Sequence, residues 1–274
     1  MKVGFLGFGE VASTLSDGLI RNGVDVCACV EGRSSRTRDL ADKVGVNRCK
    51  TNREVAEISE IIVSAVVPSS AVEVAKEVGE HFNGVYVDVN NISPQRVKEA
   101  LGFIKKGKTV DASLIGSVKK GLDVKIIASG SGAERFAKLN GYGMNIEVIS
   151  HEIGQASAIK MLRSAYTKGV SALLFETLLV AYKMGVDEML LECISETECP
   201  GFKESAMSRI ISSTFHAERR AQEMMEVVKV VSEHTNPMMS RATSEFFKLL
   251  SNKEGKHEKK LENYRDVFYS FYED

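Results

Sequence analysis

The sequence predicts a doubly wound α/β domain over residues 1–150 followed by an all-α domain over residues 151–274. Three observations lead there. Short apolar runs alternate with amphipathic stretches through the first half, and glycines punctuate them. After residue 150, helical spacing continues without strand punctuation.

Taken in order, the apolar runs predict strands over 2–6, 24–30, 61–67, 85–89, 109–112, 124–128 and 146–149. Amphipathic spacing between them predicts helices over 11–22, 35–44, 70–81, 94–105 and 133–139. Gly23, Gly45, Gly84 and Gly107 follow helix ends, where a left-handed residue is expected. Ser69 or Ser70 can cap the third helix, and Ser93-Pro94 is a good start for the fourth. The second half predicts helices over 155–184, 186–193, 203–213, 216–234 and 240–250, with Pro237 breaking or beginning a segment. Residues 252–263, rich in Lys and Glu, read as a solvated surface helix or a mobile tail.

The 274 residues carry 36 basic and 37 acidic side chains, a formal net charge of −1. That balance argues against nucleic acid, which demands a basic excess. With 43% hydrophobic and 27% charged residues the chain is of globular composition, not disordered. No uncharged apolar run reaches the ~18–20 residues of a membrane span. The opening MKVGFLGFGE is too short in apolar residues and too rich in glycine for a secretory leader. Five cysteines are scattered, and Cys27-Ala28-Cys29 alternates within an apolar run, which suits a buried strand better than a metal site. A cytoplasmic protein without a structural metal is expected.

Gly7-Phe8-Gly9-Glu10-Val11-Ala12 follows the first strand and opens the first helix, the G-x-G-x-x-A arrangement in the context that gives it meaning. Gly7 permits the tight turn, Gly9 lets a pyrophosphate approach the backbone, and Ala12 allows close strand–helix packing. This is the fingerprint of a Rossmann dinucleotide site, with phosphates at the helix N-terminus. At the end of the second strand, Glu31 could hold the ribose hydroxyls of NAD. Arg33, Ser34 and Arg36 form the better cradle for a 2′-phosphate, so NADP is favoured over NAD.

Three segments are expected beyond the carboxyl ends of the strands, where ligands bind in such sheets. They contain Val67-Pro68, Asn90-Asn91, and Asp111-Ala112-Ser113-Leu114-Ile115-Gly116-Ser117. The paired asparagines can turn the backbone or offer hydrogen bonds to a carboxamide or substrate. On the first helix of the second half, Ser157, Lys160, Ser164, Thr167 and Ser171 share one stripe, and Ile159, Leu162, Tyr166, Val170 and Leu173 mark an apolar one. Lys160 is either a surface lysine reaching outward or an ammonium held in a cleft as an acid/base group. His216, Arg219, Arg220 and Glu223 fall at helical spacing in a predicted helix. They could clamp a substrate carboxylate or phosphate, or simply form an ion-paired solvent face through Arg219 and Glu223.

Four segments together, Gly4 to Gly9, Val30 to Ser34, Val87-Asp88-Val89-Asn90-Asn91-Ile92-Ser93-Pro94 and Gly154 to Lys160, resemble the β-hydroxyacid dehydrogenase and 6-phosphogluconate dehydrogenase superfamily. The resemblance covers most of the chain and points to a divergent, phosphogluconate-dehydrogenase-like branch. It implies that Lys160 is the catalytic acid/base and that Ser164 stands where the family has a functional asparagine. It also implies a homodimer formed through the helical domain. The family's substrate loop, aspartate-alanine-proline-valine-serine-glycine-glycine, is altered here: Ile115 replaces the serine, leaving Ser113, Gly116 and Ser117 as candidate contacts.

The resulting expectation is an NADP-dependent oxidoreductase that moves a hydride between the nicotinamide and a small hydroxy acid or its oxo form. Gly7, Phe8, Gly9, Glu10, Val11, Arg33, Ser34, Arg36, Val67, Pro68, Asn90 and Asn91 would contact cofactor. Asn91, Ser113, Gly116, Ser117, Ser164, His216 and Arg219 would contact an acidic substrate. The alternatives are an imine or 2-oxo acid reductase on the same scaffold, or a non-catalytic NADP-binding sensor.

Overall fold

A computed structural model describes residues 1–252 and 263–270, so most of the Lys/Glu-rich 252–263 segment lies outside the described residues. The chain divides into two units, Met1–Lys160 and Met161–Asp274. In the first, eight strands are built: β1 (Lys2–Leu6), β2 (Asp25–Cys29), β3 (Asn47–Cys49), β4 (Ile61–Ser64), β5 (Val85–Asp88), β6 (Lys108–Ile115), β7 (Lys125–Ser129) and β8 (Asn145–Ser150). They join in one sheet in the order β3-β2-β1-β4-β5-β6-β7-β8. All neighbours are parallel except β6 and β7, which run antiparallel. The order reverses beside β1, which is the switch point where doubly wound sheets open a crevice for ligand.

The helices of this unit are α1 (Glu10–Arg21), α2 (Ser35–Val44), α3 (Asn52–Ile58), α4 (Ala71–Gly79), α5 (Pro94–Leu101) and α6 (Ala133–Phe136). Strand residues alternate between two apolar layers. Val3, Phe5, Leu15, Val26, Val63 and Val87 lie in one layer, and Leu6, Cys27, Ile62, Val78, Phe82 and Tyr86 in the other. The buried Cys27 and Cys29 therefore belong to a strand, as their alternation predicts.

Two elements escape the sequence patterns. β3 is a three-residue edge strand whose first two residues are exposed, so it carries no apolar run. α3 did carry a signal: Thr51-Asn52-Arg53-Glu54 is a capping box sequence. Thr51 Oγ1 accepts from Glu54 N at 3.1 Å, while Glu54 Oε2 accepts from Lys50 N at 2.6 Å. Gly23 and Gly45 take the expected positive φ, 84° and 76°, but Gly84 and Gly107 do not. Those two are required by packing instead: a Cβ on Gly84 would lie 2.4 Å from the Glu60 carbonyl oxygen, and one on Gly107 would lie 2.7 Å from that of Gly84. Of the predicted serine caps, Ser93 accepts from Arg96 N at 3.3 Å, whereas Ser70 makes no side-chain cap.

The second unit is helical. α7 (Gln155–Met184) leads into it, followed by α8 (Asp187–Ser195), α9 (Phe202–Phe215), α10 (Ala217–Ser232), α11 (Met238–Asn252) and α12 (Tyr264–Ser270). Phe175, Leu178, Leu191, Ile210, Met224, Phe247 and Phe268 form its core. Pro237 immediately precedes α11, as a helix-starting proline should. The first turns of α7 stay with the sheet unit because Gly154, Ala156 and Ser157 are hydrogen-bonded to β6 and β7 side chains. No described helix is long and apolar enough to cross a membrane.

Candidate active site

The glycine turn joins β1 to α1. Gly7 has φ +83°, and a Cβ there would lie 2.6 Å from the Ala65 carbonyl oxygen, so the position is closed to other residues by both conformation and space. Gly9 is different. It is exposed, it is the N-cap of α1 without a side-chain cap, and a Cβ on it would meet nothing within 4 Å. The protein itself thus leaves the space beside the Gly9 Cα empty, and no side chain caps the α1 N-terminus, the end of a helix that favours an anion. Phe8 is 3% exposed and packs edge-to-face on Phe5. Its side chain belongs to the core, so only its backbone is available to a ligand. Glu10 is exposed and Val11 half-buried.

Beyond β2, Val30 is buried and the chain turns at Glu31-Gly32, with φ +68° at the glycine. Arg33, Ser34 and Arg36 are all exposed beside this turn. Ser34 caps α2, its hydroxyl accepting from Thr37 N at 3.3 Å. The Arg33 carbonyl is held by the Arg38 guanidinium. Val67 and Pro68 are exposed beyond β4.

Asn90 is 6% exposed and committed internally. Its Oδ1 accepts from Val66 N at 2.8 Å, and its Nδ2 donates to Ser64 Oγ at 3.1 Å and to Asp88 Oδ2 at 2.9 Å. Both amide donors are spent on tying the β4 and β5 ends together, so Asn90 shapes the crevice wall. Asn91 is exposed.

The β5 and β6 ends hold a buried acidic row that the sequence reading left without a role. Asp88 and Asp111 are register partners on adjacent strands, each 1% exposed. Burial, with the charge of Asp111 adding, pushes the Asp88 carboxyl up to about 6 against the opposing hydrogen bonds from Asn90. Burial likewise raises Asp111, although four donors oppose it: Ser157 N and Oγ and Gly154 N, each at 3.0 Å, and Ser129 Oγ at 3.5 Å. Asp111 therefore serves as a distant cap for α7, and Lys160 follows Ser157 by one turn of that helix.

The altered loop differs from expectation. β6 runs to Ile115, so Ser113 lies inside the strand at 1% exposure, paired with Ile127 on β7. Among the described residues its Oγ finds no hydrogen-bond partner. Ser113 is thus removed as a substrate contact, because the strand continues three residues further than its apolar run suggested. Gly116 and Ser117 are exposed at the strand end, and Ser117 Oγ accepts from Lys119 N at 3.3 Å.

In the helical unit, the chain breaks between α9 and α10 at His216 (φ −124°, ψ 19°), so the single predicted helix over 216–234 begins one residue later. His216 is thus the residue preceding α10, while Arg219, Arg220 and Glu223 lie within that helix. His216 lines a cavity with Ser208, Ile211, Ser212 and Phe215, while Arg219 lines another with Lys168, Arg209, Arg220 and Glu223. Burial, then the charges of Arg219 and Arg220, hold His216 below the ordinary histidine range against the opposing pull of Glu223. Arg219 does pair with Glu223 at 3.5 Å, but the shorter partner of Glu223 is Lys168, at 2.7 Å. Ser164 Oγ accepts from Lys168 Nζ at 3.1 Å. Lys168 was absent from the sequence-predicted site; its spacing of eight from Lys160, two helical turns, was the available signal.

Comparison with known proteins gives a consistent result. Residues 2–92 match the family model described as NADP oxidoreductase, coenzyme F420-dependent, and residues 181–250 match a domain of unknown function, DUF1932. A 28.5 kDa protein encoded in the 7S RNA 5′ region of Methanothermus fervidus is 42% identical over 249 residues, 90% of this chain and 98% of the relative. The solved structure of the conserved protein MTH1747, described as similar to 3-hydroxyacid dehydrogenases, is 49% identical with a TM-score of 0.85, covering 92% of this chain and 97% of that one. Mycobacterium tuberculosis 3-hydroxyisobutyrate dehydrogenase, at 13% identity, shares the fold with a TM-score of 0.77 over 99% of both chains.

Proposed function

The chain belongs to the 3-hydroxyacid dehydrogenase-like family of the Methanothermus fervidus protein and MTH1747, and from that premise we propose that it is an NADP-dependent oxidoreductase acting on a small hydroxy acid or its oxo form. The observation that carries this reading is the open backbone at Gly9, an exposed and uncapped helix N-terminus beside the obligatory turn at Gly7. The family model matching residues 2–92 supports the same nucleotide.

In this reading the pyrophosphate sits against Gly7 to Val11 through their backbone N–H groups. Arg33 and Arg36 meet the 2′-phosphate, and the Ser34 hydroxyl contributes from its capping position. Val67, Pro68 and Asn91 border the nicotinamide end, with Asn90 holding that border in place. NADPH, when bound, supplies the hydride. The Lys160 ammonium donates a proton to the substrate oxygen during reduction and takes it back in the reverse direction. On the sheet unit Asn91, Gly116 and Ser117 are the proposed substrate contacts, and on α7 Ser164 is. On α7, Leu162, Tyr166, Leu173, Val180 and Met184 are all exposed, and this apolar stripe supports a homodimer through the helical unit.

The test is turnover of NADPH by purified protein against a panel of 2- and 3-oxo acids and cyclic imines, with Lys160→Ala in parallel. Oxo-acid reduction that the variant loses supports the assignment. Reduction of imines alone moves it to an imine reductase, and NADPH binding without any turnover moves it to a sensor.

A further inference from the structure

Four cationic side chains, Lys168 from α7, Arg209 from α9, and Arg219 and Arg220 from α10, line one pocket of about 260 Å³ with a single carboxylate, Glu223. Glu223 is engaged by Lys168 at 2.7 Å and by Arg219 at 3.5 Å. Arg220 is left to neutral partners: it donates to Ser213 Oγ at 2.6 Å and Ser212 Oγ at 2.9 Å, and its guanidinium lies 5.4 Å from the Phe247 ring centre. Among the described residues no carboxylate lies within ion-pair distance of it.

That arrangement is electrostatically incomplete. A half-buried guanidinium is normally paired with an anion, since burial without one costs far more than a hydroxyl partner returns. Burial and then the neighbouring Arg219 disfavour the charge on Arg220, Glu223 opposes them, and Arg209 adds to the repulsion. Such crowding persists where a ligand relieves it. Arginines present planar forks suited to phosphate oxygens. A monoanion would leave most of the positive excess uncompensated, while a dianion would neutralise more of it. The pocket is also below the ~300–1,000 Å³ usual for drug-sized ligands, so it fits a compact group.

We propose that the helical unit binds a phosphate-bearing small molecule here, its dianionic phosphate held by Lys168, Arg209, Arg219 and Arg220. The hydride-transfer reading does not require this site. Ser164 receives a hydrogen bond from Lys168, so the pocket adjoins one of the proposed substrate contacts.

The test uses inorganic phosphate as probe on the full-length protein without nicotinamide, by isothermal titration calorimetry and phosphorus NMR. Because phosphate can also enter the dinucleotide site, the variants carry the assignment. The R209Q/R219Q pair should weaken phosphate binding about tenfold or more, as expected on losing charge-assisted hydrogen bonds. Glu223→Gln removes the internal competitor and should tighten it about tenfold. Arg33→Gln should leave this binding unchanged. Absence of saturable binding in the wild type, no change in R209Q/R219Q, or acetate binding as tightly as phosphate would overturn the proposal. Circular dichroism melts of each variant establish that it is folded. Since no cofactor or hydride acceptor is present, failure here leaves the oxidoreductase reading standing.

Discussion

The Asp111 carboxylate accepts from both the backbone N–H and the hydroxyl of Ser157, each at 3.0 Å. This pair fastens the first turn of the long helix to β6, and the proposed catalytic Lys160 lies three residues further along. A carboxylate on the sheet thus fixes where the Lys160 side chain begins its reach.

Lys160→Ala should lower turnover by ~10²–10⁴ while leaving NADPH affinity within about twofold, because general acid–base assistance of that size is confined to the chemical step. Steady-state NADPH oxidation and a fluorescence titration separate the two. Retained turnover would remove Lys160 from the mechanism.

Gly7 and Gly9 should fail in different ways. Gly7→Ala places a Cβ against the Ala65 carbonyl in a left-handed backbone and should destabilise the fold by about 1–3 kcal/mol. Gly9→Val adds its side chain to open space, so its melting temperature should stay near wild type while NADPH binding is lost. Equal effects on melting would contradict the assignment of Gly9 to ligand.

Arg33→Ala should weaken NADPH binding about tenfold or more and leave NADH nearly unchanged, since only the former carries a 2′-phosphate. Parallel titrations decide it; an equal loss for both cofactors would point to the turn's shape instead of its charge.

Asp88 is held up to about 6 in the folded chain, against about 3.9 for an unperturbed aspartate. A carboxyl that the fold keeps protonated stabilises most below the unfolded value, and that contribution fades as pH rises from about 4 to about 6. Its size is on the order of 2–3 kcal/mol. Asp88→Asn does not titrate, so the gap between variant and wild-type urea midpoints should widen in the variant's favour over that window. A pH-independent gap would show that Asp88 is ionised throughout.

Tyr166 and Leu173 are 71% and 65% exposed on α7. Changing both to Asp should leave the helical content intact and convert the proposed dimer to a monomer in sedimentation equilibrium, because burying two carboxylates in an apolar interface is prohibitive. A monomeric wild type, or a mass unchanged in the variant, would remove this stripe as an interface.

The sequence by itself determined the architecture. Apolar alternation up to residue 150, the Gly7-Phe8-Gly9 turn after β1 and unbroken helical spacing from Gln155 each follow from local periodicity and backbone geometry, which a sequence displays directly. Tertiary structure decided the rest. It consumed Asn90 between Ser64, Asp88 and Val66, carried β6 through Ser113 and buried that hydroxyl, and set His216 at the junction of α9 and α10. It also turned the apolar stripe of Ile159, Leu162, Tyr166 and Leu173 outward, and gathered Lys168 with Arg209, Arg219 and Arg220 around Glu223. Periodicity reports which residues share a face. Which partners meet that face depends on packing between elements far apart in the chain, and no local pattern encodes it.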